Sequence, residues 1–233
     1  MNTRSSLANH RFTSLRRNNV MTEDSSDQLQ PEHFLRADES DDGIFYEQPR
    51  LVTHIDDPAC AALNDYFREH LPAGGDILDL MSSCVSHLPW DVEYKSVTGV
   101  GMNQVELDDN KQLTERLVHN LSNNPTLPIA DNSFDGCMIT VSVQYLIHPV
   151  HVFGEIARVL RPGSRCIVSF SNRCFPTKAI ALWHQMDDIE HAKLVGYYFN
   201  ESGGFEAPQF ENISPNPGET DPLYVATAVT KAD

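Results

Sequence analysis

The stretch ILDLMSSCVSH, residues 77–87, decides how the rest of the chain is read. Ile77, Leu78, Leu80 and Met81 form an apolar run broken only by Asp79, which suits a strand buried on both faces. Small residues follow, as expected of a tight loop at a strand's carboxyl end. A loop that meets a ligand through bare backbone normally carries glycines, which tolerate positive φ and close approach. Here Met81, Ser83 and Val85 stand where glycine is expected.

Outward from this strand the pattern alternates. DILDLM (76–81) is followed by a second strand, SVTGVGM (96–102). A helix is expected over 103–120, opened by Asn103 as N-cap with Glu106 three residues on, and a short third strand in LVHNL (117–121). A fourth strand falls around 136–143. PVHVFGEIARVL (149–160) is an amphipathic helix stopped by RPG, and SRCIVSFSN (164–172) is a fifth strand. Ahead of them, PACAALNDYFREHL (58–71) places Leu63, Tyr66, Phe67 and Leu71 on one helical face, ended by Pro72 and the glycines at 74 and 75. Downstream, residues 177–199 read as helix and 222–231 as a last strand. Near-continuously apolar strands alternating with helices imply an α/β, doubly wound, mostly parallel sheet with helices on both faces. Its ligand crevice lies at the strands' carboxyl ends.

Composition narrows the function. The net charge of −16 argues against nucleic acid or an anionic membrane surface as partner, since both need a positive face. No apolar run approaches the roughly 18 residues of a membrane span. Five scattered cysteines without a CxxC pair suit free thiols in a reducing, cytoplasmic setting. Residues 1–20 carry four arginines and no acid, and are read as an extension ahead of a start at Met21. A transit-peptide reading lacks an apolar helical stripe. Residues 1–42 are expected to be disordered or loosely attached, and 43–233 to form the folded domain.

Polar or small residues gather where the strands end: Asp79; Gly99 and Gly101 with Met102 and Asn103; Asn120 and Leu121; Ser142, Val143 and Tyr145. With LPIADNSFD (127–135) and EIARVLRPG (155–163) in this order, the chain resembles the class I S-adenosylmethionine-dependent methyltransferases, over about residues 75–172. The resemblance implies a Rossmann-like sheet of seven strands with an antiparallel C-terminal strand. S-adenosyl-L-methionine is the implied cofactor and a small molecule the methyl acceptor. It places Asp79 by the methionine moiety, Met81, Ser82 and Ser83 in the loop beneath the cofactor, and Gly101 at the position of the family's ribose-binding acid. Asn120 matches the Asp beside the adenine, and Ser142 to Tyr145 the segment facing the methyl group and acceptor.

Tyr46, Tyr145 and His148 are the candidate acceptor contacts, and His148 or His54 the candidate bases. No metal is expected. His148 and His151 lack an acidic partner nearby in sequence, and the acidic run at 38–42 lacks calcium-loop spacing. Losing the ribose acid removes a hydrogen bond to a charged group worth about 1.5–3 kcal/mol, unless Glu106 reaches back. Two readings stay open: a methyltransferase, or an inactive pseudo-methyltransferase kept as a binding or assembly module. The oligomeric state and the acceptor's identity are not encoded legibly.

Overall fold

The structure, a computed structural model, describes residues 29–232. The expectations for residues 1–28 therefore lie outside the described residues. Seven strands form one sheet: β1 (Asp76–Ser82), β2 (Ser96–Gly101), β3 (Glu115–Val118), β4 (Phe134–Thr140), β5 (Leu160–Phe170), β6 (Gln209–Asn212) and β7 (Tyr224–Val229). Their order is β3-β2-β1-β4-β5-β7-β6. Only β7 runs antiparallel, wedged between β5 and β6. The order reverses beside β1 and β4, and that switch point is where an open α/β sheet presents its crevice.

The strands show why they are apolar nearly throughout. Side chains alternate between faces, so Ile77 joins the cluster containing Leu63 and Phe67 of helix α2 (Asp57–His70). Leu78 and Leu80 join the opposite cluster, with Phe153 and Ile156 of α4 (Pro149–Val159) and Val195 and Tyr198 of α5 (Asp188–Ser202). Each such fully buried side chain contributes about 1.5–3 kcal/mol relative to exposure. The remaining helices are short: α1 (Asp42–Phe45) and α3 (Gln104–Asp109).

Two expectations about elements need correction. The helix expected over 103–120 is only the six residues of α3. It ends because Asn110 turns its buried side chain away to donate to Ser83 O and Ser86 Oγ, freeing residues 115–118 to pair with β2. The helix expected over 177–199 begins only at Asp188, where Asp187 and Glu190 form a capping box. Before it, Ile180 bridges to Arg36 and residues 183–185 make a 3-10 turn. The seventh strand that the resemblance implied is β6, which no apolar run in the sequence located.

Residues 29–42, grouped by their polarity with the N-terminal extension, are bound to the body. Arg36 pairs with Asp42 at 2.8 Å, and the fully buried Lys178 reaches Asp42 at 3.0 Å and Asp38 at 3.3 Å. Charge there is internal glue, which composition alone reads as solvation. No helix among the described residues is long and apolar enough to cross a membrane.

Candidate active site

At the carboxyl ends of β1, β2 and β4 lies a cavity of about 110 Å³. The missing glycines explain its floor. The β1–β2 register skips Met81: Leu80 pairs with Val100, and Ser82 with Gly101. Met81 bulges out at φ 62°, a left-handed conformation that glycine would adopt without strain and methionine adopts at about 1–2 kcal/mol. The bulge drives the Ser82 carbonyl over β2, where a Cβ on Gly101 would sit 2.3 Å from that oxygen. The glycine has thus moved from loop to neighbouring strand. An acid at position 101 is sterically excluded.

Hydrogen bonds hold the loop in the glycines' stead. Asp79, 2% exposed, accepts from Ser82 Oγ and Ser86 Oγ, both at 2.6 Å. Asn110 secures Ser86 in turn. Ser83 Oγ donates to Glu106 at 2.8 Å, and the Arg50 backbone N–H donates to the other Glu106 oxygen at 2.7 Å. Burial pushes the Asp79 carboxyl up to about 6, against the pull of its two hydroxyl donors. It therefore stays mostly ionised at neutral pH, in a place where an uncompensated charge is expensive.

Strain concentrates on this cavity. Among the described residues four non-glycines have positive φ, and three of them, Met81, His87 and Val141, line it. For β-branched Val141 such a backbone is an outlier. Two hydroxyls on the cavity wall, Thr140 Oγ1 and Ser142 Oγ, are buried without a partner. Asn120 directs its side-chain oxygen to the N–H groups of Ser122 and Asn123, leaving its amide nitrogen without a partner among the described residues.

The far wall is aromatic. Tyr46, Tyr145, Phe175 and His54 line it, with Phe175 packed 5.8 Å from Tyr145 and 5.4 Å from His54 between ring centroids. Arg50 lies over the rings of Phe45 and Phe175, at 4.3 and 5.0 Å. Tyr145 accepts a hydrogen bond from the Phe175 N–H, and burial raises its hydroxyl to about 12. Burial also lowers both nearby imidazoles, His54 below its usual value and His87 to about 4, so His87 is neutral at physiological pH.

Of the sequence-derived candidates, Asp79, Met81, Ser82, Ser83, Gly101, Met102, Asn120, Leu121, Ser142, Tyr46 and Tyr145 line the cavity. Four do not. Gly99 packs under Leu113, which a Cβ there would overlap at 2.4 Å. Asn103 caps α3 and donates to the Tyr46 and Glu47 carbonyls, holding the segment that carries Tyr46. Val143 belongs to the core. His148 is exposed at the N-cap of α4, which Pro149 opens. His54, the other candidate base, does line the cavity. Sequence reasoning missed Asp42, His87, Thr140 and Phe175 as wall residues. No local motif marks them, since four distant segments bring them together. Among the described residues no group of three or more His, Cys, Asp or Glu could hold a metal.

The comparisons agree with this architecture. Residues 82–168 match the family model of a methyltransferase domain. An O-methyltransferase of Pyrenophora dematioidea is 31% identical over 103 residues, which cover 40% of this chain and 39% of that protein. The biotin biosynthesis bifunctional protein BioHC of Teredinibacter turnerae is 29% identical over 83 residues, covering 36% of this chain and 15% of that one. The chain thus spans less than half of either relative. A solved S-adenosylmethionine-dependent methyltransferase from Thermotoga maritima superposes with a TM-score of 0.54 at 17% identity, covering 74% of this chain and 90% of that one. At such identity the likeness concerns the fold.

Proposed function

We propose that this chain, a class I S-adenosylmethionine-dependent methyltransferase by fold and sequence signature, transfers a methyl group from S-adenosylmethionine to a small acceptor seated beside Tyr46 and Tyr145. The observation that carries the reading is the gathering of strained backbone at Met81, His87 and Val141 around a buried, ionisable Asp79. Strain of about 1–3 kcal/mol per residue persists where the surrounding structure over-determines it, and it clusters at functional sites.

The residues present suit the cofactor. Asp79 and Glu106 offer carboxylates to a cationic amino acid and to ribose hydroxyls. The amide of Asn120 and the unpartnered hydroxyls of Thr140 and Ser142 offer hydrogen bonds. When bound, S-adenosylmethionine supplies an electrophilic methyl group: the acceptor's lone pair forms the new bond to carbon as the carbon–sulfur bond breaks, leaving a neutral thioether. The chain's own part is to hold the acceptor in line and keep water out, which can supply much of the rate enhancement. His54, kept largely neutral by burial, is the group that would take a proton from an acceptor hydroxyl.

A second reading, a pseudo-methyltransferase retained as a binding or assembly module, is favoured by the side chains of Met81 and Val85 on the cavity wall and by the absent acid at Gly101. Calorimetric titration with S-adenosylmethionine and its demethylated product separates the two. Saturable binding that Asp79→Ala abolishes is the expected result. Silence at millimolar ligand would leave only the scaffold.

A further inference from the structure

Three cations lie on the chain segments that flank the cavity: Arg50, Arg173 and Lys178. The structure separates them. Lys178 is fully buried and satisfied by Asp38, Asp42 and two backbone carbonyls. Arg173 points outward, 62% exposed, near Asp221 at 3.9 Å, and does not line the cavity. Among the described residues Arg50 is the only Lys or Arg on the cavity wall, and it has no carboxylate within ion-pair distance. Its guanidinium donates to the carbonyls of Phe45 at 3.1 Å and Gln48 at 3.4 Å, and it lies over Phe45, Tyr46 and Phe175. Those contacts fix its orientation and leave its charge unneutralised. In a chain of net charge −16 an unpaired arginine inside a cavity is conspicuous. Guanidinium matches carboxylate in planar, two-point geometry, and the rings of Tyr46, Tyr145 and Phe175 beside it favour a flat partner.

We propose that Arg50 recognises the methyl acceptor, and that the acceptor is a small planar molecule bearing a carboxylate, its ring against Tyr145 and Phe175. This rests on the methyltransferase reading. The cavity carries the Arg50 cation on its aromatic wall and the buried Asp79 carboxylate at the end of β1. The acid-lined half is the poorer place for a second anion.

The test uses the full chain loaded with S-adenosylhomocysteine, titrated with benzoate and with its neutral isostere benzamide, followed by calorimetry or saturation-transfer NMR. If S-adenosylhomocysteine itself fails to bind, the methyltransferase reading falls before this one is reached. With it bound, benzoate is expected to bind at least about tenfold more tightly than benzamide, as a charge-assisted pair of about 1.5–3 kcal/mol requires. Arg50→Met is expected to abolish that preference and Arg50→Lys to retain part of it. Both should leave the affinity for S-adenosylhomocysteine within about threefold. Equal binding of benzoate and benzamide to the wild-type chain would overturn the proposal, a result that needs no variant to fold. Arg50→Met weakening S-adenosylhomocysteine tenfold or more would also overturn it, by reassigning Arg50 to the cofactor's own carboxylate.

Discussion

The two halves of the cavity are built by different means. The half beneath β1 and β2 is made of local sequence: eleven consecutive residues, 77–87, supply a bulged strand end, two positive-φ positions and the hydroxyls that fix Asp79. The aromatic half is assembled from segments distant in sequence, Phe45 to His54 meeting Tyr145 and Phe175. Backbone strain and buried polar bonds set the first. Ring packing and one guanidinium set the second. A locally encoded, over-determined site should be unforgiving of substitution, and a packed aromatic wall more permissive.

The severest test of that contrast is Gly101→Asp, which puts a carboxylate on the cavity floor. The new Cβ would meet the Ser82 carbonyl at 2.3 Å. Overpacking of about 1–3 kcal/mol, together with a crowded carboxylate, should destabilise the fold by about 3 kcal/mol or more. A drop in denaturation midpoint would register it; unchanged stability would mean the floor is softer than described.

Next come opposed pH responses. The Asp79 carboxyl ionises at about 6 in the fold against 3.8 in an unfolded chain, so its contribution to stability is lost as pH rises through that window. His87 titrates at about 4 in the fold against 6.5 unfolded, so its contribution is lost as pH falls through nearly the same window. Each shift is worth about 3 kcal/mol at one unit per 1.36 kcal/mol, and in the intact chain the two largely cancel. Asp79→Asn should therefore make stability climb between pH 4 and 6.5, and His87→Gln should make it decline between pH 4 and 6. Thermal melts across that range would show slopes of opposite sign.

Asp79→Asn should also weaken S-adenosylhomocysteine by about 10–100-fold in calorimetry while the protein melts higher at pH 8, since a desolvated charge is gone. Loss of both affinity and stability would point to a purely structural carboxylate. On the aromatic side Phe175→Leu should change stability by less than about 1.5 kcal/mol, as hydrophobic swaps of similar size usually do, and leave cofactor affinity within threefold. The smallest effect belongs to Met81→Gly. Relief of the left-handed strain, about 1–2 kcal/mol, is offset by a looser unfolded chain and lost packing, so the net change should stay within about 1 kcal/mol.

This contrast also explains what could be read from the sequence. Strands betray themselves by apolar runs, and β1, β2, β4, β5 and β7 were all anticipated. So was the loop carrying Asp79, because its chemistry is contiguous. Strand β3 was largely hidden inside a helical pattern because LTERLVHN satisfies both periods and only the Asn110 side chain, pulled toward Ser83 and Ser86, breaks the helix early. Strand β6 is four residues at the sheet's edge, its flanks exposed, and it leaves almost no hydrophobic trace. His148 was a candidate acceptor contact, but it is the exposed residue that precedes α4 and does not line the cavity. Arg50 and Phe175 gained their meaning only from each other.

The bulge at Met81 and the bare Cα at Gly101 have a consequence for how this loop can change over time. The two positions are one mechanical unit: carbonyl crowding from the first forbids any side chain at the second. No side chain can be seated at 101 by a change there alone; the turn at 81 must flatten first.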